Sequence, residues 1–564
     1  MRVLGLNGWG DRSHDASACL LVDGEIVAFA EEERFSRRKH AFDACPVGAA
    51  AYCLAEAGIT LDDVDAVAFG WDMPRHLSLR GLDTAAIDRS LDRLLPRDSF
   101  PRAKNPPLHF VDHHLAHAAS AYHFSGADRS AVLVVDGQGE EASISTYHGV
   151  DGELRPVGTY PIGWSLGYMY EAACEFTGMR TSDSGKLMGL AGYGTPLDAL
   201  DKIVRVVEGG FEIPDLAPSH VVAGSVDEGG PILGRWGELF AAAFGCASNP
   251  LTRVLDETTG VVRATTERDP FEYRDVAATV QHKLEQAVIS VVDHLMATTS
   301  ERVLTMAGGV AYNATLNGKI RELPAVGRLF VQPAAGDAGV ALGAAAWIAA
   351  HSGDVIAPLG DSIAFGPQFT PDEVRRALDG AGLAYREPAD LADAVAQRLD
   401  RGELIGWFNG RGEVGPRALG SRSLLASPAD RAMRDRVNLE AKRREWWRPL
   451  APSVAVENTA EVFGRDLSLP YMIVTTSVSE AYRGRLGAVV HEDGTTRPQT
   501  VTAQANPAYH AVLRRLPGGI ALNTSFNGRD EPIVRTPLNA IATFRELQLD
   551  ALVLGPYVVE GEQS

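Results

Sequence analysis

The sequence predicts an α/β protein in which a two-lobed N-terminal unit, residues 1–354, precedes a smaller α/β domain, residues 355–564. Three observations predict it. A strand, polar loop and hairpin occur in that order twice within the first 160 residues, as a duplicated lobe would. A buried strand with a double-glycine turn and a helix start follows at Val303–Asn313. Beyond residue 354 the character changes, with Pro358, Gly360 and Gly366-Pro367 marking a linker. At 564 residues the chain exceeds one core, and about three or four packed lobes are expected.

The elements follow in order. Val3 to Leu6 reads as a first strand, and Ala18–Val22 and Glu25–Ala30 as a hairpin turning at Asp23-Gly24, a strong two-residue turn signal. His113 begins a helix that Asp112 can cap and that Ser125-Gly126 ends. The strand Ala131–Val135 leads into Asp136-Gly137-Gln138-Gly139, a strand Ala142–Tyr147, and the turn Asp151-Gly152. The second copy thus repeats the first, with Asp136-Gly137 standing where the first has Asn7-Gly8. In the third piece, Gly308, Gly309 and Asn313 let the backbone approach a nucleotide at a helix N-terminus, which favours anions. Gly336-Asp337-Ala338-Gly339 then opens a helix over Val340–Ala350.

Composition narrows the function classes. The chain is 45% hydrophobic and 22% charged, as in ordinary globular proteins, and no apolar run approaches the roughly 20 residues needed to span a bilayer. No signal-peptide pattern opens it. Five scattered cysteines without a CxxC predict a reducing cytoplasm rather than a disulfide framework or a thiolate metal site. A net charge of −20 argues against a nucleic-acid partner and tolerates a cationic small substrate.

His113 and His117 are the strongest chemical signal. Residues at i and i+4 share a helix face, so both imidazoles can reach one metal ion, and Asp136 arrives at the tip of the next strand. The alternative is a polar helix start with hydrogen-bonded histidines. Asp337 is either an N-cap or a fourth ligand from the other lobe. In the C-terminal domain, Arg411–Arg448 holds ten basic and five acidic residues. Arg431, Arg434 and Arg436, on a helix after Pro428, are expected to be solvated. Glycines and a proline hold a loop open around Arg417, with Arg422 five residues on, and both are expected to grip phosphate or carboxylate oxygens. Lys442, Arg448 and Arg497 extend this set, and Asn523 and Ser525 add polar donors after a strand.

Two hairpin lobes with a double-glycine turn resemble the actin, Hsp70 and sugar-kinase superfamily, where a nucleotide lies in the interlobe cleft. The HxxxH helix and Ser184-Gly185-Lys186-Leu187-Met188-Gly189-Leu190-Ala191 narrow this to the threonylcarbamoyl-adenosine synthases. That resemblance sets Lys186 and Gly189 near phosphates; the competing reading of the run is an amphipathic helix. The whole chain then resembles the antibiotic-type O-carbamoyltransferases, with the nodulation and cephamycin enzymes as more distant members, most strongly the tobramycin carbamoyltransferases. Its motifs include HDAS at His14, EEERFSRRKH, HHLAH, VDGQGE, GGVAYNAT, RGEVGPRALG, EWWRP, DGTTRPQTV and LNTSFN, in that order.

The resemblance implies a YrdC-like C-terminal domain in which carbamoyl phosphate is hydrolysed and the carbamate attacks ATP, giving carbamoyl-adenylate and pyrophosphate. It implies that Arg417, Arg422, Lys442, Arg448 and Arg497 bind these phosphates, with Arg417, Lys442 and Arg448 catalytic and Mg(II) accompanying ATP. It further implies that His113, His117, Asp136 and Asp337 hold a divalent ion, Fe(II) by family. An acceptor hydroxyl then takes the carbamoyl group. His14 would remove its proton or else contact the adenylate or acceptor; Lys39 and His40 are further candidates. The expected acceptor is a sugar hydroxyl of a glycosylated natural product, an aminoglycoside or a macrolide, met by the motif-free stretches 74–105 and 196–268. A monomer or homodimer is expected, with no membrane partner.

Competing classes are weaker. A metallopeptidase needs a glutamate after the first histidine, where His114 stands. An actin-like ATPase explains neither the His/Asp set nor the arginines. A tRNA-modifying enzyme disagrees with the net charge of −20. An inactive binding protein would bind ATP without turnover.

Overall fold

The computed structural model describes residues 1–217, 229–256 and 261–561. In the first lobe, β1 (Arg2–Asn7) pairs antiparallel with β2 (Ser17–Val22), which pairs with β3 (Glu25–Glu31). On its other side β1 runs parallel to β4 (Ala66–Phe69), which runs parallel to β5 (Leu108–Phe110). The second lobe repeats this with β6 (Arg129–Val135), β7 (Ala142–Val150) and β8 (Glu153–Pro161) antiparallel. There β9 (Val303–Ala307) and β10 (Arg328–Val331) are the parallel strands. The orders β3-β2-β1-β4-β5 and β8-β7-β6-β9-β10 are the same topology, so the lobes are structural copies. Both hairpins turn on left-handed pairs, Asp23 and Gly24 at φ 50° and 82°, Asp151 and Gly152 at φ 52° and 87°. That is the mirror-image turn whose twist matches the strands.

Two helices separate the sheets. His113–Tyr122 packs on the second sheet, and Val340–His351 packs on the first and against the other helix. The Val340 helix is buried over most of its length and rich in alanine, as an interior helix must be. Where the two helices meet, a side chain at Gly343 would overlap the Ala116 carbonyl. This close approach places the histidine helix at the floor of the interlobe cleft.

The C-terminal part is built on an eight-stranded mixed sheet. Its central strands, Ile405–Phe408, Arg422–Ala426, Ile520–Ser525 and Ala451–Ala455, lie adjacent in that spatial order. The segment after His351 first follows the N-terminal lobes, with Leu359 N–H donating to Phe124 O at 2.9 Å. It then joins the C-terminal sheet region, where Gly366 N–H donates to Gly412 O at 2.8 Å. The hydrophobic core of the second lobe runs on into Trp447, Ala451 and Tyr471–Val474, so the two units share packed interior. No helix among the described residues is long and apolar enough to cross a membrane. All five cysteines are free.

Candidate active site

A cavity of about 1770 Å³ lies between the lobes and the C-terminal part and is lined by both. At its lobe end, ligand atoms of His113, His117, Asp136 and Asp337 all lie within 4.8 Å of one another, and all four residues are buried. His113 Nε2 is 3.3 Å from Asp136 Oδ2 and 3.7 Å from Asp337 Oδ1; His117 Nε2 is 3.6 and 3.8 Å from the same atoms. The two Nε2 atoms are 3.2 Å apart.

Surrounding groups hold this set in place. The Gly70 carbonyl sits 3.0 Å from His113 Nδ1, which leaves Nε2 as the donor atom toward a cation. Trp71 stacks on the His113 ring at 3.8 Å. Glu140 accepts the His113 N–H with both oxygens at 3.1 Å, fixing the helix start. Asp112 caps the same helix through the Leu115 N–H. Asp136 Oδ1 accepts the Gly309 N–H at 2.7 Å, keeping its other oxygen on the histidines. Asp337 begins the short turn Asp337–Gly339 before the helix, and its carboxylate lies with the two histidines. Two imidazoles and two carboxylates converging in a buried space fit a divalent cation; N and O donors admit Fe, Mn or Zn alike.

The other end is cationic. Arg417, Lys442, Arg444, Arg448 and Arg497 line the cavity from the C-terminal side, joined by Lys39 from the first lobe. A six-residue π-helix, Arg436–Ala441, delivers Lys442, whose Nζ donates to Ser525 O, Ser525 Oγ and Asn527 Oδ1 at 2.6 to 3.0 Å. Arg497 donates to Met472 O at 2.8 Å, and buried Arg417 Nε has no hydrogen-bond partner. Burial and the neighbouring Arg444, Arg448 and Lys39 charges push Lys442 well below the usual ammonium range. Burial likewise lowers Arg417 to about 10 and depresses Arg444 and Arg497. Glu445 is the nearby counter-charge, 3.5 Å from both Lys186 and Arg448. Closely grouped cations that repel one another fit a polyanion.

The other expected residues divide. His14 lines the cavity, 51% exposed, with Nδ1 4.0 Å from Asp337 Oδ2. Burial opposes its charge, but Asp337 and Asp15 overcome this and raise it to about 10. Lys186 and Gly189 line the cavity from the helix Ser184–Ala191, which buries Leu187 and Leu190. That run is therefore helical despite its glycines. Asn523 reaches the wall with its amide donating to Ala418 O, Ser453 Oγ and Gln499 Oε1. Gly309 and Asn313 line the cavity, Asn313 capping the next helix. Gly308 lies behind them at φ 95°, its N–H held by Ala335 O.

Two expectations are corrected. Arg422 does not reach the cavity: its guanidinium donates to the carbonyls of Asn409, Ser421, Pro367 and Gly410 and lies 3.6 Å over the Phe408 ring. It closes the back of the glycine loop instead of gripping a ligand. Arg434, expected in solvent, is 9% exposed and lines the cavity. Arg444 and Glu171 were not singled out by motif. Arg444 follows the exposed, left-handed Arg443, which turns it inward. Glu171 stands with Glu175 on the otherwise largely apolar helix Leu166–Phe176, half-buried at the cavity wall and raised to about 7 chiefly by burial. Of the stretches proposed to meet the acceptor, His76, Leu77, Arg93, Pro196, Leu233, Leu251 and Thr265 line the cavity. Residues 218–228 and 257–260 lie outside the described residues.

With this geometry in view, comparison with known proteins is decisive. A family model for the carbamoyltransferase N-terminus matches residues 2–81 and 98–346, and one for the carbamoyltransferase C-terminus matches residues 396–561. The chain belongs to the carbamoyltransferase family. It is 36% identical to the nodulation protein NolNO of Sinorhizobium fredii over 97% of this chain and 79% of that protein. It is 34% identical to an uncharacterized protein of Synechocystis, sll1178, over 99% and 96%. The 3'-hydroxymethylcephem-O-carbamoyltransferase of Amycolatopsis lactamdurans is 28% identical over 96% of each chain. This carbamoyltransferase thus matches, over 96% of its length, an enzyme named for carbamoyl transfer to oxygen.

Proposed function

We propose that this carbamoyltransferase uses ATP and carbamoyl phosphate to place a carbamoyl group on a sugar hydroxyl of a glycosylated natural product, by way of carbamoyl-adenylate. The observation that carries the reading is the cavity whose one end suits a divalent cation and whose other end suits a polyanion. The opposite electrostatics of the two ends support a division of labour between them. At the cationic end, Lys442, Arg417, Arg448, Arg444 and Arg497 bind the phosphates of ATP and carbamoyl phosphate and stabilise charge that builds as pyrophosphate leaves. Water converts carbamoyl phosphate to carbamate and phosphate; a carbamate oxygen bonds to the α-phosphorus of ATP, and the bond to pyrophosphate breaks.

At the lobe end, His113, His117, Asp136 and Asp337 would hold a divalent ion, which when bound supplies Lewis-acid charge beside the adenylate phosphate. The acceptor oxygen bonds to the carbamoyl carbon, the carbon–oxygen bond to AMP breaks, and the hydroxyl proton passes to a base at the cavity, while His14, held protonated by Asp337 and Asp15, contacts the adenylate or the acceptor. The shared core between the units keeps both ends on one rigid wall, as positioning of two reactants requires. The cephem relative's name supports an O-linked product. Aminoglycosides and macrolide glycosides are the acceptors to try first, the acidic chain favouring the former.

Isotope exchange tests the first half. Labelled pyrophosphate should enter ATP only when carbamoyl phosphate is present. Exchange without it, or ADP as the sole nucleotide product, would remove the adenylate from the account.

A further inference from the structure

One buried arginine of the first lobe reaches into the C-terminal part. Arg34 stands on the short helix Glu33–Ser36 after β3 and is 7% exposed. Its guanidinium donates to Glu31 Oε2 at 2.9 Å, to Glu33 Oε1 at 3.2 Å and to Gly415 O at 2.7 Å. Glu31 Oε2 in turn accepts the Gly415 N–H at 3.1 Å. Both polar backbone groups of Gly415 are thus taken up by one pair of side chains from a distant part of the chain. Burial opposes the Arg34 charge, but Glu31 and Glu33 outweigh it. Burial pushes Glu31 up to about 7 against the pull of Arg34, and its Oε2 can accept both bonds whether or not the other oxygen carries a proton.

Gly415 is enclosed on its remaining side as well. It has φ 88°, and a side chain there would come within 2.9 Å of the Pro333 carbonyl oxygen, just beyond β10 of the second lobe. Pro416 follows, its φ fixed by the ring, so the course of the chain from Gly415 to Arg417 is narrowly set. Arg417 lines the cavity two residues past the grip, and with its Nε unpartnered it depends on its backbone for position. The other side of Arg34 is anchored too, because Glu33 Oε2 accepts the His40 N–H at 2.8 Å. The helix under Arg34 is itself fastened to the C-terminal part. Arg37 donates to Ile533 O and Pro532 O at 2.7 and 2.9 Å. Arg535 donates to Arg34 O at 3.2 Å, with its guanidinium 4.4 Å over the Phe35 ring.

We propose that Arg34 is a positioning residue for the polyanion end, which together with Glu31 holds Gly415 and so fixes where Arg417 stands. The cationic wall of the C-terminal part is then completed by the first lobe, through a side chain that touches no ligand. A ligand cation displaced by about 1 Å loses much of its effect, so a grip on the backbone two residues away reaches the chemistry. The consequence for the adenylate half-reaction rests on the proposed function above; the grip on the loop does not.

Hydrogen–deuterium exchange of the full chain tests the grip with no ligand present. In Arg34→Gln the peptide spanning residues 412–419 should exchange faster than in the unaltered protein, while the interior helix Val340–His351 keeps its rate. Unchanged exchange over 412–419, or equal loosening of both segments, overturns the grip. Inorganic pyrophosphate, followed by calorimetry, tests what the grip does. Arg417→Ala and Arg34→Gln should each weaken its binding about 10- to 100-fold. Combined, they should weaken it by far less than the product of the two, since Arg34 acts through Arg417. Arg34→Lys keeps the charge but not the three-way fork, and should lie between Arg34→Gln and the unaltered protein. Should Arg34→Gln fail to fold, Arg34→Lys carries both comparisons. Losses that multiply, or unchanged affinity in the Arg34 variants, overturn the positioning role. If Arg417→Ala binds pyrophosphate as tightly as the unaltered protein, the polyanion reading falls, and with it the role of Arg34 at that end; faster exchange over 412–419 would then leave only the grip standing.

Discussion

At the lobe end of the cavity, acids and imidazoles face one another over 3.2 to 3.8 Å, and their outer atoms are held by Gly70, Gly309 and Glu140. At the C-terminal end, cations crowd around buried Lys442, and their neighbours lower rather than raise their proton affinity. The first arrangement is close to a finished coordination set awaiting only its ion. The second is electrostatically unfinished and gains most when a ligand brings negative charge. The difference teaches that the two ends are specialised for separate half-reactions, and separate perturbations should uncouple them.

The largest effect is expected from Asp136→Asn, which removes a charge shared by both histidines. Carbamoyl transfer should fall about 1000-fold or more, and metal content measured by mass spectrometry should drop, while pyrophosphate exchange persists. Lys442→Ala should do the reverse, lowering exchange by about 100- to 1000-fold without changing metal content. If Asp136→Asn also stops exchange, or Lys442→Ala also stops transfer from supplied carbamoyl-adenylate, at full folded content, the separation is wrong. Arg422→Ala sharpens the contrast between a ligand cation and a structural one. It should cost about 3 kcal/mol of stability in denaturant unfolding by stranding buried carbonyls, while residual folded enzyme keeps its pyrophosphate affinity.

The smallest effect is on pH. An anion favours charged Lys442, whose folded pKa lies below that of the unfolded chain. Pyrophosphate binding should therefore take up protons and weaken as pH rises through that depressed pKa, read by calorimetry in buffers of differing ionisation heat. The sign for folding is opposite: the unfolded chain holds that proton more tightly, so this lysine's drag on stability eases as pH rises. Anion binding with proton release would contradict the assignment.

Much of the frame was legible because local chemistry dictates it. Asp23-Gly24 and Asp151-Gly152 adopt the left-handed pairs their residue types favour, and the HxxxH spacing alone sets two rings on one face. Asp337 was ambiguous, since a carboxylate before a helix is usually a cap; only tertiary placement sends it to the histidines. The arginines were least legible. Arg417 and Arg422 share one glycine loop, yet Arg422 begins a buried strand and meets carbonyl oxygens, while Arg417 stays on the cavity wall. Asn7 ends β1 and Asp136 directly follows β6 at the corresponding place in the two lobes. In one lobe that position ties down a loop, and in the other it supplies a ligand, a divergence that pattern shows only as Asn against Asp.

The most direct test is to incubate the full chain with ATP, carbamoyl phosphate and Fe(II), with and without tobramycin or a macrolide glycoside, and to follow nucleotides and acceptor by mass spectrometry. The account predicts AMP and pyrophosphate together with an acceptor heavier by one carbamoyl group. ADP as the nucleotide product, or carbamoylated acceptor formed without ATP, would contradict it.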